Sequence, residues 1–110
     1  MESRNKILFI CSRNKKRSPT AEDIYSEFPN LETRSAGLNK DAEYILSAED
    51  LEWADLIFVM EKNHLKNLER LHSLHIQKKR VICLNIPDKY GYGDAELIKI
   101  LRKKADPFIL

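Results

Sequence analysis

Glycine and proline are scarce in this chain, 3 and 4 of its 110 residues, which excludes a collagen-like or low-complexity chain. Hydrophobic residues at 43% and charged residues at 33% give an ordinary globular composition, able to bury a modest core without metal or disulfide staples. Cysteine is scarcer still. The two thiols, Cys11 and Cys83, lie in separate apolar segments with no metal-ligand spacing around either, so free thiols are expected and a structural disulfide is not. Charge of one sign is also lacking: the formal net charge is +2, which excludes a molecule built throughout as a polycation for nucleic acid. No apolar run is long enough to span a bilayer, and the stretch after MESRNK is too short for a signal peptide. The expectation is a cytoplasmic protein without a membrane partner, folded as one domain over residues 1–110.

What the chain does contain is an alternation of short apolar runs and helical patterns. KILFIC, Lys6 to Cys11, is continuous and apolar, as in a strand buried on both faces of a parallel sheet. A helix is predicted from near Ser18 to just before Pro29, with Pro19 in its first turn, Glu22 and Asp23 near its positive end, and Ala21, Ile24, Tyr25 and Phe28 at helical spacing. Glu32 to Gly37 is a second strand candidate ending in a glycine turn. LSAEDLEWA, with Ser47 three residues before Asp50, reads as a short capped helix. Asp55 to Met60 is a third strand. From Lys62, the spacing of Leu65, Leu68, Leu71 or His72, and His75 predicts a helix with one apolar face. Arg80 to Ile86 follows as a fourth strand, PDKYGYGD as a loop, and AELIKILRKKA as a last helix capped by Asp94 and ended by Pro107. This order predicts an α/β fold: a small doubly wound, four-stranded parallel sheet with helices on both faces and right-handed crossovers. Ligand sites in such sheets lie beyond the carboxyl ends of the strands. Cys11 and the loop over 87–94 both fall there.

The segment CSRNKKRS, residues 11–18, is where chemistry concentrates. A loop leaving a parallel strand and entering a helix can turn the N–H groups of Ser12, Arg13, Asn14, Lys15, Lys16, Arg17 and Ser18 inward as a cradle for a tetrahedral oxyanion. The same field favours a thiolate at Cys11, the base of that cradle, and so a nucleophile. Arg17 supplies a planar fork that can hold two phosphoryl oxygens at once, which lysine cannot copy. Ser18 can donate to the sulfur, and Asn14 suits a position needing positive φ while its amide ties the loop to itself.

CSRNKKRSPTAE resembles the phosphate-binding loop of the low-molecular-weight protein tyrosine phosphatases, which reads Cys, any, Gly, Asn, any, Cys, Arg, Ser, Pro, any, Ala, Glu. RSAGL at 34–38, ADLIFVMEKNHLKNL at 54–68 and a late loop with Asp88 and Tyr90 resemble the corresponding segments in the same order. The resemblance implies a phosphate loop after the first strand and a two-step phosphatase acting through a phosphocysteine. Cys11 would attack phosphorus, Arg17 would hold the oxygens, and Asp88 would protonate the leaving phenolate and then deprotonate water. Asn14 and Ser35 would support the loop, and Tyr90 and Tyr92 would flank the phosphoaryl ring. The partner implied is a phosphorylated protein or small aryl phosphate, with inorganic phosphate or a similar oxyanion in the loop and no cofactor. The chain departs from the pattern in being shorter than typical members, as in a reduced bacterial branch, and in carrying Arg13 for the loop glycine and Lys16 for the second loop cysteine. Arg13 must then adopt the geometry the glycine gave, and Lys16 removes the redox partner of the nucleophile.

Other features have plainer readings. His64, His72 and His75 lack the cysteines or carboxylates that would complete a metal site, so no metal is expected. Lys15, Lys16, Lys78, Lys79 and Arg80 have no interleaved aromatics, so a solvated face rather than a nucleic-acid surface is expected. Trp53 is read as packing between helix and sheet. Arsenate reduction, a chemistry hosted by a similar loop, needs further thiols, and only Cys83 is available. A non-catalytic module binding phosphate or RNA is the remaining alternative, but binding alone needs neither a thiolate nor a general acid.

Overall fold

The computed structural model describes residues 5–110. Four strands, β1 (Asn5–Cys11), β2 (Leu31–Gly37), β3 (Leu56–Val59) and β4 (Arg80–Cys83), form one parallel sheet in the order β2-β1-β3-β4. Four helices alternate with them: α1 (Arg17–Ser26), α2 (Ala48–Trp53), α3 (Lys62–Ile76) and α4 (Ala95–Ile109).

Side-chain alternation along β1 divides the core in two. Ile7, Phe9 and Cys11 face one way, into a cluster with Ala21 and Tyr25 of α1 and Leu97, Leu101 and Ala105 of α4. Leu8 and Ile10 face the other way, onto Leu51 of α2 and Leu68 of α3. This two-sided burial is why the strand reads as an unbroken apolar run. On the first face Phe9 stacks between Tyr25 and Phe58, with centroid distances of 5.7 and 5.3 Å. Tyr25 is fully buried, and its hydroxyl donates to Asp106, joining α1 to α4.

Several elements differ from the sequence reading. The fourth strand stops at Cys83, not Ile86, because Asn85 turns into the left-handed region at φ 54°. Leu84 and Ile86 still donate to Val59 and Met60, so the chain hugs β3 beyond the strand end. Helix α1 starts at Arg17, which places Glu22 and Asp23 past its first turn. Helix α4 runs through Pro107 to Ile109. Packing outweighs the lost hydrogen bond there: Phe108 meets Phe58 edge-on at 6.1 Å, and Ile109 packs on the first core cluster. In α3 the buried residues are His64 and Leu68, whereas Leu71 is exposed, and a kink at His72 breaks the expected face. Ser47 and Asp50 form the capping box of α2, and Trp53 packs partly buried on the second cluster beneath the guanidinium of Arg34. No helix among the described residues is long and apolar enough to cross a membrane.

Candidate active site

Strand order reverses between β1 and β3, so the chain leaving β1 opens a crevice at the carboxyl edge of the sheet. Residues 11–17 fill it. Gly37, at the end of neighbouring β2, permits this. A Cβ there would lie 2.6 Å from Ala42 Cβ and 2.7 Å from the Ser12 carbonyl oxygen, so only glycine lets the two backbones meet. Three backbone bonds then fasten the loop to the segment after β2: Leu38 N–H to Cys11 O at 3.0 Å, Asn39 N–H to Ser12 O at 2.9 Å and Glu43 N–H to Arg13 O at 2.9 Å.

Inside the loop, Asn14 adopts φ 57° and so directs its own N–H at Cys11 Sγ, 3.3 Å away. Its side-chain amide donates to Ser18 Oγ and Ser35 Oγ, both at 2.9 Å. Ser18 Oγ, already accepting that bond, has its proton free for Cys11 Sγ at 2.9 Å. Ser35 in turn donates to Glu22, closing a buried polar chain from α1 through β2 to the sulfur. Arg13 keeps negative φ, since Asn14 and Asn85 are the non-glycine residues with positive φ among those described. Position 13 therefore needs no glycine geometry in this loop.

Arg17 is 2% exposed, one of the largest buried side chains of the protein. Its Nη1 donates to Glu61 Oε2 at 2.6 Å and to the Ile86 carbonyl at 2.8 Å. Among the described residues Nη2 and Nε make no hydrogen bond, and Asp88 Oδ1 lies 3.9 Å from Nε. Among the described residues no side chain caps the N-terminus of α1, which leaves the first-turn N–H groups of Arg17 and Ser18 without a side-chain acceptor. A cleft of about 420 Å³ results, lined by Cys11, Ser12, Arg13, Lys15, Lys16, Arg17, Asn39 and Asp88.

Two contributors escaped the sequence reading. Glu61, the N-cap of α3 two residues past β3, holds Arg17. His64, three residues on, is buried and accepts the Glu61 N–H at Nδ1, 3.0 Å away, which leaves the proton on Nε2 to donate to Ser12 Oγ at 2.9 Å. Burial, then the charge of Arg17, lowers the His64 pKa to about 4 and keeps the ring neutral. The available signal was a glutamate and a histidine at capping-box spacing beyond a buried strand.

Other candidates fall elsewhere. Tyr90 packs on the first core cluster, and Tyr92 donates its hydroxyl to Asp23 of α1. Neither lines the cleft. Asp94 accepts from the Glu96 and Leu97 N–H groups, as a helix cap. Cys83 is free, as is Cys11. Cys83 pairs with Val59, which pairs with Ile10, so Cys83 stands two strands from β1, roughly 10 Å away. It also packs on the opposite face of the sheet from Cys11. That separation exceeds disulfide reach, so the second thiol required for arsenate chemistry is not at hand. Lys79 donates to the Glu52 and Ala54 carbonyls at the end of α2, and Arg80 lies over Phe108 at the amino end of β4. Lys15 and Lys16 are at the carboxyl edge, so the five cations do not form one patch. Among the described residues no group of three or more His, Cys, Asp or Glu is placed to hold a metal ion.

No family model and no curated protein matches the chain. Solved structures do. Wzb of Vibrio vulnificus in complex with benzylphosphonate is 22% identical, with TM-score 0.75 over 94% of this chain and 96% of that one. The tyrosine phosphatase Wzb of Escherichia coli K30 in complex with phosphate is 20% identical, with TM-score 0.77 over 94% and 95%. SP-PTP of Streptococcus pyogenes, a low-molecular-weight protein tyrosine phosphatase, is 18% identical, with TM-score 0.77 over 96% and 91%. At these identities the likeness is one of fold, and the fold of this chain is that of the low-molecular-weight protein tyrosine phosphatases.

Proposed function

We propose that the chain is a cysteine-dependent phosphatase that hydrolyses phosphotyrosine or other aryl phosphate monoesters. The observation that carries this reading is the convergence on Cys11 Sγ of the Asn14 N–H and the Ser18 hydroxyl, in one cleft with Arg17 and Asp88. Both groups are placed to donate to the attacking sulfur, and binding alone would need no such arrangement. The likeness in fold to a tyrosine phosphatase holding phosphate and to a Wzb holding benzylphosphonate supports the same reading.

In the first step the Cys11 thiolate attacks phosphorus, the P–O bond to the phenol breaks, and Asp88 gives its proton to the departing oxygen. In the second, the Asp88 carboxylate takes a proton from water, the resulting hydroxide attacks phosphorus, and the S–P bond breaks to release phosphate and the thiolate. Arg17 Nε and Nη2 follow the phosphoryl oxygens while Glu61 and the Ile86 carbonyl hold Nη1. The loop N–H groups of residues 12–18 supply the remaining donors, with Asn14 and Ser35 as positioning residues.

Turnover of 4-nitrophenyl phosphate tests the reading. Wild type should hydrolyse it, Cys11→Ser should fall to background while still binding phosphate or vanadate, and Arg17→Lys should lose most activity with its charge kept. Comparable turnover by Cys11→Ser would sink the mechanism.

A further inference from the structure

The cleft carries more positive charge than a phosphoryl group needs. Of its four cations, Arg17 is matched by Glu61 at 2.6 Å and Arg13 by Asp41 at 3.4 Å. Lys15 and Lys16 are exposed on the cleft wall, and among the described residues neither ammonium has an acid partner. The one carboxylate of the cleft, Asp88, sits beside Arg17 and not beside the lysines. Two unmatched cations lining one cleft favour an anion there. At the same time, among the described residues the walls hold no aromatic side chain: Tyr90 lies partly buried against the first core cluster and Tyr92 is tied to Asp23. A neutral aryl ring entering this cleft therefore finds little surface to stack on, and charge is left as the main source of selectivity.

We propose that Lys15 and Lys16 form a second anion subsite, so that the preferred substrate is a phosphate monoester carrying a further carboxylate or phosphate beside the scissile group. The proposal rests on the phosphatase reading and specifies its substrate class. The shared chemistry is a second anion within reach of the two ammonium groups, with the scissile phosphoryl on Cys11 and Arg17. Exposed ion pairs are screened by salt, so the preference must also weaken as ionic strength rises.

Two pairs of substrates separate the sources of that anion: phosphotyrosyl peptides that differ only in Glu or Gln next to the phosphotyrosine, and phenyl phosphate against hydroquinone bisphosphate. In each pair kcat/KM should favour the more anionic member by about tenfold at roughly 0.01 M ionic strength, falling to within about twofold near 1 M. A gain confined to one pair assigns the anion to a peptide carboxylate or to a second phosphate. The double variant Lys15→Gln, Lys16→Gln should reduce the ratio to within about twofold at low salt, and the ratio is unaffected by any general loss of activity in the variant. Equal treatment of the members of both pairs by an active wild type, or a preference that survives in the variant, overturns the subsite and leaves the phosphatase reading standing. If no ester turns over, that reading falls. The same ratio measured as binding affinities to the Cys11→Ser protein then still decides the subsite.

Discussion

The loop after β1 and the loop after β4 reach the same cleft with opposite construction. In the first, Asn14, Arg17 and Ser18 are buried, and a chain of side-chain bonds runs without a gap from Glu22 to the sulfur. In the second, Asp88 has a side chain 53% exposed, and among the described residues its ion-pair partner is Arg17 at 3.9 Å. Its loop is anchored further along, where Tyr92 reaches Asp23, Gly93 N–H donates to Thr20 Oγ1 at 3.0 Å and Asp94 caps α4. The difference matches the two tasks proposed for these loops. Donors that stabilise developing charge are most effective when fixed before the substrate arrives. A residue that gives a proton to one oxygen and takes one from water has to stay within reach of both.

Removing the proposed acid, Asp88, should break the comparison most visibly. Asp88→Asn is expected to slow esters of weakly acidic phenols by about 10²–10⁴-fold, and esters whose phenolate leaves unaided far less, since only the former need a proton in the transition state. A rate series across phenols of graded acidity checks this. An Asp88→Asn line parallel to wild type would remove the acid role from this residue.

The first loop was far more legible in the sequence than its supports. A buried strand, a cysteine, basic residues and a first-turn proline are contiguous, and an asparagine where the turn needs positive φ is a local signal. Glu61 and His64 act on Arg17 and Ser12 across 44 and 52 residues, and the capping-box spacing of the pair marks a helix start without saying which residues it will meet. The fold was readable because parallel strands buried on both faces carry strong signatures, as in β1 and β3. Element ends were less so: Asn85 ends β4 through its backbone angle, and Pro107 stays helical with Ile109 packed on the first core cluster and the exposed Phe108 edge-on to Phe58. The aromatics of the second loop gave composition without direction, and Tyr90 and Tyr92 turned to the core and to α1.

The buried histidine behind the first loop offers a sharper measure of how closed that side is. Folded protein keeps His64 neutral down to about pH 4, while the unfolded chain protonates near 6.5. Between these values the unfolded state binds the extra proton. The contribution of His64 is therefore fully present above pH 6.5 and is lost as pH falls toward 4, by roughly 3 kcal/mol in all. His64→Gln, which keeps a donor for Ser12 and removes the titration, should flatten that part of the profile. Urea unfolding of both proteins from pH 7 to about 4 compares the slopes. Identical slopes would mean that the ring is open to solvent and the first loop less sealed than its hydrogen bonds imply.

The smallest expected effect separates the two acids of the second loop. Asp94 accepts the Glu96 and Leu97 N–H groups at 2.8 and 3.3 Å and forms no part of the cleft lining. Asp94→Ala should then cost about 1 kcal/mol through the lost cap, a fall in Tm of roughly 4–8 °C. Its dependence of rate on phenol acidity should stay that of wild type, because α4 is still held against the sheet by Leu97, Leu101 and Ala105 and Asp88 keeps its place. Calorimetry and the phenol series, run on one preparation, read the two quantities independently. A steepened series in Asp94→Ala beside an unchanged one in Asp88→Asn would transfer the proton to Asp94 and make the exposed Asp88 the structural residue of the pair.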